Sequence, residues 1–112
     1  MTRISQYRIY YFGGGSGHDN AGRAGIRLIG ENGESVGWLK FWKNPAQMPA
    51  SDEVLANGVI RAHLPQGQLG NVLDLLRNER PLFLRFGEFG LERAVISSNS
   101  EPVGEAERRL LR

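Results

Sequence analysis

The stretch RAGIRLIGENGESVGWLKFW, residues 23–42, decides the fold because it contains a complete β-hairpin. Asn32-Gly33 lies between two runs that alternate apolar and polar residues, and Asn-Gly is the strongest short-range signal for a hairpin turn. If these two residues alone form the loop, Glu31 faces Glu34 and the pairing continues outward along both strands. The turn therefore predicts the register of the two strands.

This register sorts the hairpin onto two faces, because successive side chains of a strand point to opposite sides of the sheet. The face that we expect to form the core carries Ala24, Ile26, Leu28, Leu39 and Phe41. The face that we expect to be exposed carries Arg23, Arg27, Trp38, Lys40 and Trp42, with Ile29 and Val36 near the turn. Each tryptophan then lies across from an arginine, within range of a cation–π contact.

Outside the hairpin, the pattern of apolar residues predicts four further strands and one helix. The six strands cover residues 4–12, 23–29, 35–42, 59–64, 82–86 and 91–97. The helix lies within residues 65–79 and has its apolar residues at the i, i+3, i+4, i+7 spacing, at Leu69, Val72, Leu73 and Leu76. Pro81 prevents its continuation. In the connection 43–57, we expect Ser51 to cap one short helical turn.

We therefore expect an α+β fold of about six mostly antiparallel strands, in a curved sheet or a partial barrel, with the amphipathic helix between the fourth and fifth strands. A chain of 112 residues suits one domain, residues 1–112. Its C-terminal tail, from about residue 98, is either loose or a short helix. The composition, 40% hydrophobic and 23% charged, is typical of a globular protein rather than a disordered one.

The composition also narrows the possible chemistry. There are no cysteines, which excludes disulfides, thiolate metal sites and cysteine nucleophiles. No apolar run is long enough to span a membrane, and the N-terminus lacks the apolar region of a secretory signal. We expect a cytoplasmic protein with no membrane contact. The spacing of His18 and His63 predicts no metal ligand set, and we expect neither a metal nor a cofactor.

A glycine-rich loop, GGGSGHDN at residues 13–20, is a candidate phosphate-binding segment through Gly14, Ser16 and His18. Its spacing matches neither the P-loop nor the dinucleotide-binding motif, and no helix is predicted after it. Ser16, His18 and Asp19 are the residue types of a hydrolytic triad, but neighbours on one loop rarely converge as a triad must. We therefore lean against an enzyme.

The exposed hairpin face is the better candidate site, because arginine and tryptophan are both enriched at binding hot spots. Our leading expectation is a small non-enzymatic binding or accessory module that contacts a protein partner or a second copy of itself. A purely structural interpretation is also open, in which arginine stems shield the tryptophan rings.

Two further hypotheses belong to other classes. The first is single-stranded nucleic-acid binding through the same face, since basic and aromatic side chains together can hold phosphates and stack bases. Residues that would extend this surface, if they share its side, are Arg8, Arg61, His63, Arg85 and Arg93. The second is a small phosphate-ligand enzyme that uses the glycine-rich loop.

Overall fold

The structure, a computed structural model, describes residues 2–13 and 24–98. Within them the strands are β1 Thr2–Ile4, β2 Gln6–Tyr11, β3 Ala24–Ile29, β4 Ser35–Trp42, β5 Glu53–Val54, β6 Ile60–Pro65, β7 Leu82–Phe86 and β8 Ala94–Ser98. The helix α1 is Leu69–Asn78, and 3-10 turns cover Pro45–Gln47, Gln66–Gln68 and Glu88–Gly90. The fold of the described residues is α+β, as the sequence predicts, with eight strands in place of about six.

The strands form two sheets instead of one curved sheet, and the described residues form no closed barrel. The five-stranded sheet has the order β2-β3-β4-β6-β5, and the three-stranded sheet has the order β1-β7-β8. All neighbours are antiparallel except β4 and β6, which run parallel. The predicted first strand divides at Ser5, so that β1 and β2 enter different sheets. The predicted helical turn after Ser51 is wrong, because that segment forms β5.

The turn of the β3–β4 hairpin differs from the two-residue loop that the sequence predicts. The Gly33 N–H donates to the carbonyl of Gly30 at 3.1 Å, and the Gly30 N–H donates to the carbonyl of Glu34 at 2.8 Å. Gly33 has a φ of 81°, in the left-handed region. Three residues, 31–33, therefore form the loop, and Glu31 does not pair with Glu34.

A β-bulge restores the predicted register beyond this turn. Ile29 pairs with Ser35 and Leu28 pairs with Gly37, which leaves Val36 as the extra residue. From Leu28 to the far end of β3 the pairing is the predicted one. The bulge also corrects the placement of Val36, which packs against the core and does not join the exposed face.

The core lies between one face of the five-stranded sheet and a layer made of α1 and the three-stranded sheet. Its buried residues include the predicted set, which is Ala24, Ile26, Leu28, Leu39 and Phe41. The covering layer contributes Leu73 and Leu76 from α1 and Leu82 and Leu84 from β7. The helix therefore packs on the leucine side of the hairpin, and the arginine and tryptophan side faces away from it.

Several predictions fall on segments outside the described residues. These segments are 14–23, with most of the glycine-rich loop and Arg23, and 99–112, with the predicted tail. No helix in residues 2–13 and 24–98 has the length and apolarity needed to cross a membrane.

Candidate binding face

The face of the five-stranded sheet that points away from the core is the candidate site, and we call it the outer face. Cross-strand pairing places Arg8 beside Arg27, Arg27 beside Trp38, and Trp38 beside Arg61, in one row across β2, β3, β4 and β6. Directly paired residues share a face of a sheet. By the same register and the alternation along each strand, the outer face carries Arg8, Tyr10, Arg27, Trp38, Lys40, Trp42, Arg61 and His63.

Aromatic rings form a continuous group at the β2 side of this face. The Tyr10 and Trp38 ring centroids are 5.4 Å apart, and Phe12 stacks on Tyr10 with the ring planes only 9° apart. Gly25 makes room for the group, because a Cβ there would lie 3.0 Å from Cζ2 of Trp38. The absence of a side chain at residue 25 lets the indole lie close against the sheet.

Arg27 does not make the predicted cation–π contact with Trp38. Arg27 lies across from Trp38, but its Nε donates a hydrogen bond to Oγ of Ser35. In the described part of the chain, the cation that lies over a tryptophan ring is Lys40, with Nζ 4.7 Å from the centroid of the Trp42 ring. The structure therefore confirms the predicted alternation of side chains and contradicts the predicted contact of Arg27 with the Trp38 ring. The predicted contact of Arg23 with Trp42 falls outside the described residues.

The electrostatic environment of the face is positive. The pKa of the Tyr10 hydroxyl is held below its ordinary value of 10.0, mainly because the Arg8 guanidinium donates a hydrogen bond to it. Arg27 acts in the same direction, and together they outweigh the partial burial that raises this pKa. Both arginines therefore favour the charged form of the Tyr10 hydroxyl.

Among residues 2–13 and 24–98, Glu53 brings a negative charge to the face, at the far edge of the sheet. Its Oε1 accepts hydrogen bonds from Nε of Arg61 at 2.6 Å and from Nε2 of His63 at 2.9 Å. The hydrogen bond from Arg61 lowers the pKa of Glu53 the most, and the hydrogen bond from His63 lowers it further. In the part of the chain that the structure describes, Arg8, Arg27 and Lys40 belong to no ion pair. Within that part, no carboxylate compensates their charge.

His63 has both of its ring nitrogens occupied. Nε1 of Trp42 donates to its Nδ1 at 3.0 Å, while its Nε2 contacts Glu53. Its side chain is only 4% exposed. An imidazole with two committed nitrogens has no free position from which to take or give a substrate proton. This cluster positions the Trp42 ring on the outer face.

The structure brings together four of the predicted site residues, Arg27, Trp38, Lys40 and Trp42, and adds Arg8, Arg61 and His63 from the possible extensions. Arg85 belongs to β7 in the other sheet, where it pairs with Glu88 at 2.8 Å, and Arg93 lies between the 3-10 turn 88–90 and β8. Arg23, Gly14, Ser16 and His18 are outside the described residues.

Sequence reasoning missed Tyr10 and Glu53 as members of the face. Tyr10 lies two residues after Arg8 in β2, so the alternation of side chains already indicated that both lie on the same face. Glu53 joins only through the pairing of β5 with β6, which no local pattern indicated.

No group of three or more histidine, aspartate or glutamate side chains in residues 2–13 and 24–98 is arranged to hold a metal ion. Comparison with protein-family models, with curated proteins and with solved structures finds no match for this chain.

Proposed function

We propose that this protein is a non-enzymatic module that binds single-stranded nucleic acid on its outer face. The observation that carries the proposal is the row of Arg8, Arg27, Trp38 and Arg61 across four neighbouring strands, with Tyr10 beside it. Aromatic rings on an open sheet stack bases without requiring one sequence, while neighbouring cations contact the phosphates. The face supplies both in one surface.

Charge favours a polyanion over a protein partner on this face. Arg8, Arg27 and Lys40 have no counter-charge in the described residues, and the sequence pI is about 9.4, in the range typical of nucleic-acid-binding domains. An apolar protein surface would strip water from these cations without pairing them, which is unfavourable. A phosphate backbone pairs them directly and releases its own counterions.

Tryptophan fluorescence tests the proposal, because both tryptophans of the chain, Trp38 and Trp42, lie on the outer face. We expect an oligothymidylate to quench the fluorescence at low salt. If Arg8, Arg27 and Lys40 each neutralise one phosphate, log K falls against log salt with a slope of about −2. Arg27→Ala should reduce that slope by about 0.7.

Arg93→Ala is the matched control, because Arg93 is exposed and lies off the outer face. This variant should bind like the wild type. Absence of quenching at low salt, or an affinity that does not change with salt, would contradict the proposal.

A second candidate function, association with a protein partner or with another copy of the chain, is supported by a different feature. β2 is an edge strand of the five-stranded sheet, and at its end Tyr11 is 68% exposed and Phe12 is 48% exposed. Free edges with exposed aromatic residues are common sites of strand addition. Sedimentation across a wide concentration range tests self-association. We expect Tyr11→Lys to abolish any dimer, and a wild-type monomer at every concentration would reject self-association.

A further inference from the structure

The orientation of Trp42 on the outer face depends on the protonation state of the residue that holds it. Nε1 of Trp42 donates a hydrogen bond to Nδ1 of His63 at 3.0 Å. An indole N–H is only a donor, so this nitrogen of the imidazole must carry a lone pair and no hydrogen. The other ring nitrogen, Nε2, lies 2.9 Å from Oε1 of Glu53 and carries the hydrogen of the neutral ring. The imidazole that holds Trp42 is therefore the neutral form.

A proton added to this imidazole removes the acceptor that Trp42 uses. A charged imidazole has an N–H at both nitrogens and accepts no hydrogen bond. Two N–H groups would then face each other across the 3.0 Å between Nε1 of Trp42 and Nδ1 of His63. The contact of Nε2 with Glu53 survives and becomes an ion pair, because that nitrogen is a donor in both forms. The added proton therefore breaks the bond on the tryptophan side alone.

The indole, and not the imidazole, is the group that can turn away. The imidazole is enclosed, and the backbone N–H of His63 is itself held by Oδ1 of Asp52 at 2.8 Å. The Trp42 residue is only partly buried and lies at the end of β4. Loss of the hydrogen bond should therefore change the orientation of the tryptophan ring and leave the histidine in place.

The charged groups around His63 come from its own strand and from the two strands that flank it. Glu53 on β5 and Asp52 just before it favour the added proton, whereas Arg61 on β6 and Lys40, its register partner on β4, oppose it. Histidine is the side chain whose charge ordinarily changes between about pH 5 and 8. This is the pH range in which the bond to Trp42 should be tested.

We infer that His63 is a positioning residue that makes binding on the outer face depend on pH: its neutral form fixes the Trp42 ring, and its protonated form releases the ring. This inference rests on the proposed function, because it concerns how the same face holds a base. A ring that is already fixed stacks on a base without losing further freedom. A released ring must first be ordered by the bound strand, so it contributes less to affinity.

The first measurement follows the two indole N–H signals by NMR in the protein without nucleic acid, from about pH 8 to about pH 5. The signal of Trp42, assigned with Trp42→Phe, should shift upfield as the pH falls because its hydrogen loses the acceptor. The signal of Trp38, which packs against Tyr10, should stay nearly unchanged. The midpoint of the Trp42 shift should coincide with the midpoint measured on the His63 ring protons. A Trp42 signal that does not respond, or a different midpoint, overturns the inference.

Two histidine variants show which residue causes the response. In His63→Asn an amide oxygen can accept from Trp42 and gains no proton in this range, so the Trp42 signal should no longer depend on pH. His18→Asn, the same substitution at the other histidine of the chain, should keep the response of the wild type. A response that persists in His63→Asn, or one that disappears in His18→Asn, overturns the role of His63.

The second measurement tests the coupling to binding, with an oligothymidylate at constant salt. Trp42→Ala should weaken binding about fivefold at about pH 8, where the ring is fixed, and much less at about pH 5.5, where the ring is released. An equal loss at both pH values overturns the coupling and leaves the proposed function standing. If the wild type binds at neither pH, the proposed function fails and the coupling to binding fails with it, while the signals of the free protein still decide whether His63 controls Trp42.

Discussion

The protonation form of His63 follows from the residue beside it. An indole N–H only donates, so Nδ1 of His63 must accept from Trp42. In the neutral imidazole the hydrogen is then on Nε2, where it is donated to Glu53. A chain of hydrogen bonds thus runs from Trp42 through His63 to Glu53, and it fixes the orientation of the indole on the outer face.

Replacing the imidazole should therefore destabilise the fold and loosen Trp42. His63→Phe removes the acceptor of one hydrogen bond and the donor of another, and we expect unfolding in urea to become easier by about 1–3 kcal/mol. In a double-mutant cycle with Trp42→Phe, the two effects should be strongly non-additive, because both variants remove the same bond. Simple additivity would mean that this hydrogen bond does not contribute.

The carboxyl group of Glu53 should make stability depend on pH. Its pKa in the folded protein lies below the ordinary value of 4.5, because of Arg61 first and His63 second. Its contribution is therefore complete at pH values above 4.5 and is lost as the pH falls through the lower, folded-state pKa. Since the side chain is 39% exposed, solvent screens the pair, and we expect no more than about 1 kcal/mol.

Glu53→Gln isolates this contribution. The difference in unfolding free energy between wild type and variant should be present at pH 7 and should shrink below pH 4.5. Urea denaturation at a series of pH values measures it. A difference that stays constant down to the lowest pH at which the protein is folded would show that the ion pair is not its source.

At the scale of elements, the β3–β4 hairpin has some features that the sequence predicts and others that it does not. Asn-Gly and the alternating pattern identified the hairpin and both faces correctly. They did not identify the loop length, because Asn32-Gly33 fits a three-residue loop as well as a two-residue one when Gly33 alone takes the left-handed conformation. The bulge at Val36 then shifted the pairing back by one residue, so the predicted faces survived an incorrect turn.

Two glycine-to-alanine substitutions should change the stability of the protein in opposite directions, because Gly33 has a left-handed backbone and Gly70 lies in α1. Gly33→Ala should destabilise the protein by about 1 kcal/mol, because a φ of 81° is strained for alanine. Gly70→Ala, in α1 with open space around its Cβ, should stabilise the protein by about 0.5–1 kcal/mol. Thermal melts of both variants test this pair, and a neutral Gly33→Ala would argue against the left-handed conformation of Gly33.

At the scale of the whole molecule, the two sides of the five-stranded sheet have opposite character. The inner side is apolar and covered by α1 and the three-stranded sheet, whereas the outer side is basic and aromatic. Local periodicity predicted this division because, along each strand, apolar residues of the buried face alternate with the residues of the other face. It did not predict the parallel pairing of β4 with β6, which brings Arg61 beside Trp38, because strand order depends on long-range packing.

The most direct test of the outer face as the binding surface is an amide and indole NMR titration with an oligothymidylate. We predict that the largest shift changes occur at Arg8, Arg27 and the indole N–H of Trp38, while Val95 and Ile96 of β8, in the other sheet, stay unchanged. Largest changes on the three-stranded sheet, or an unchanged spectrum at saturating oligomer and low salt, would contradict the account.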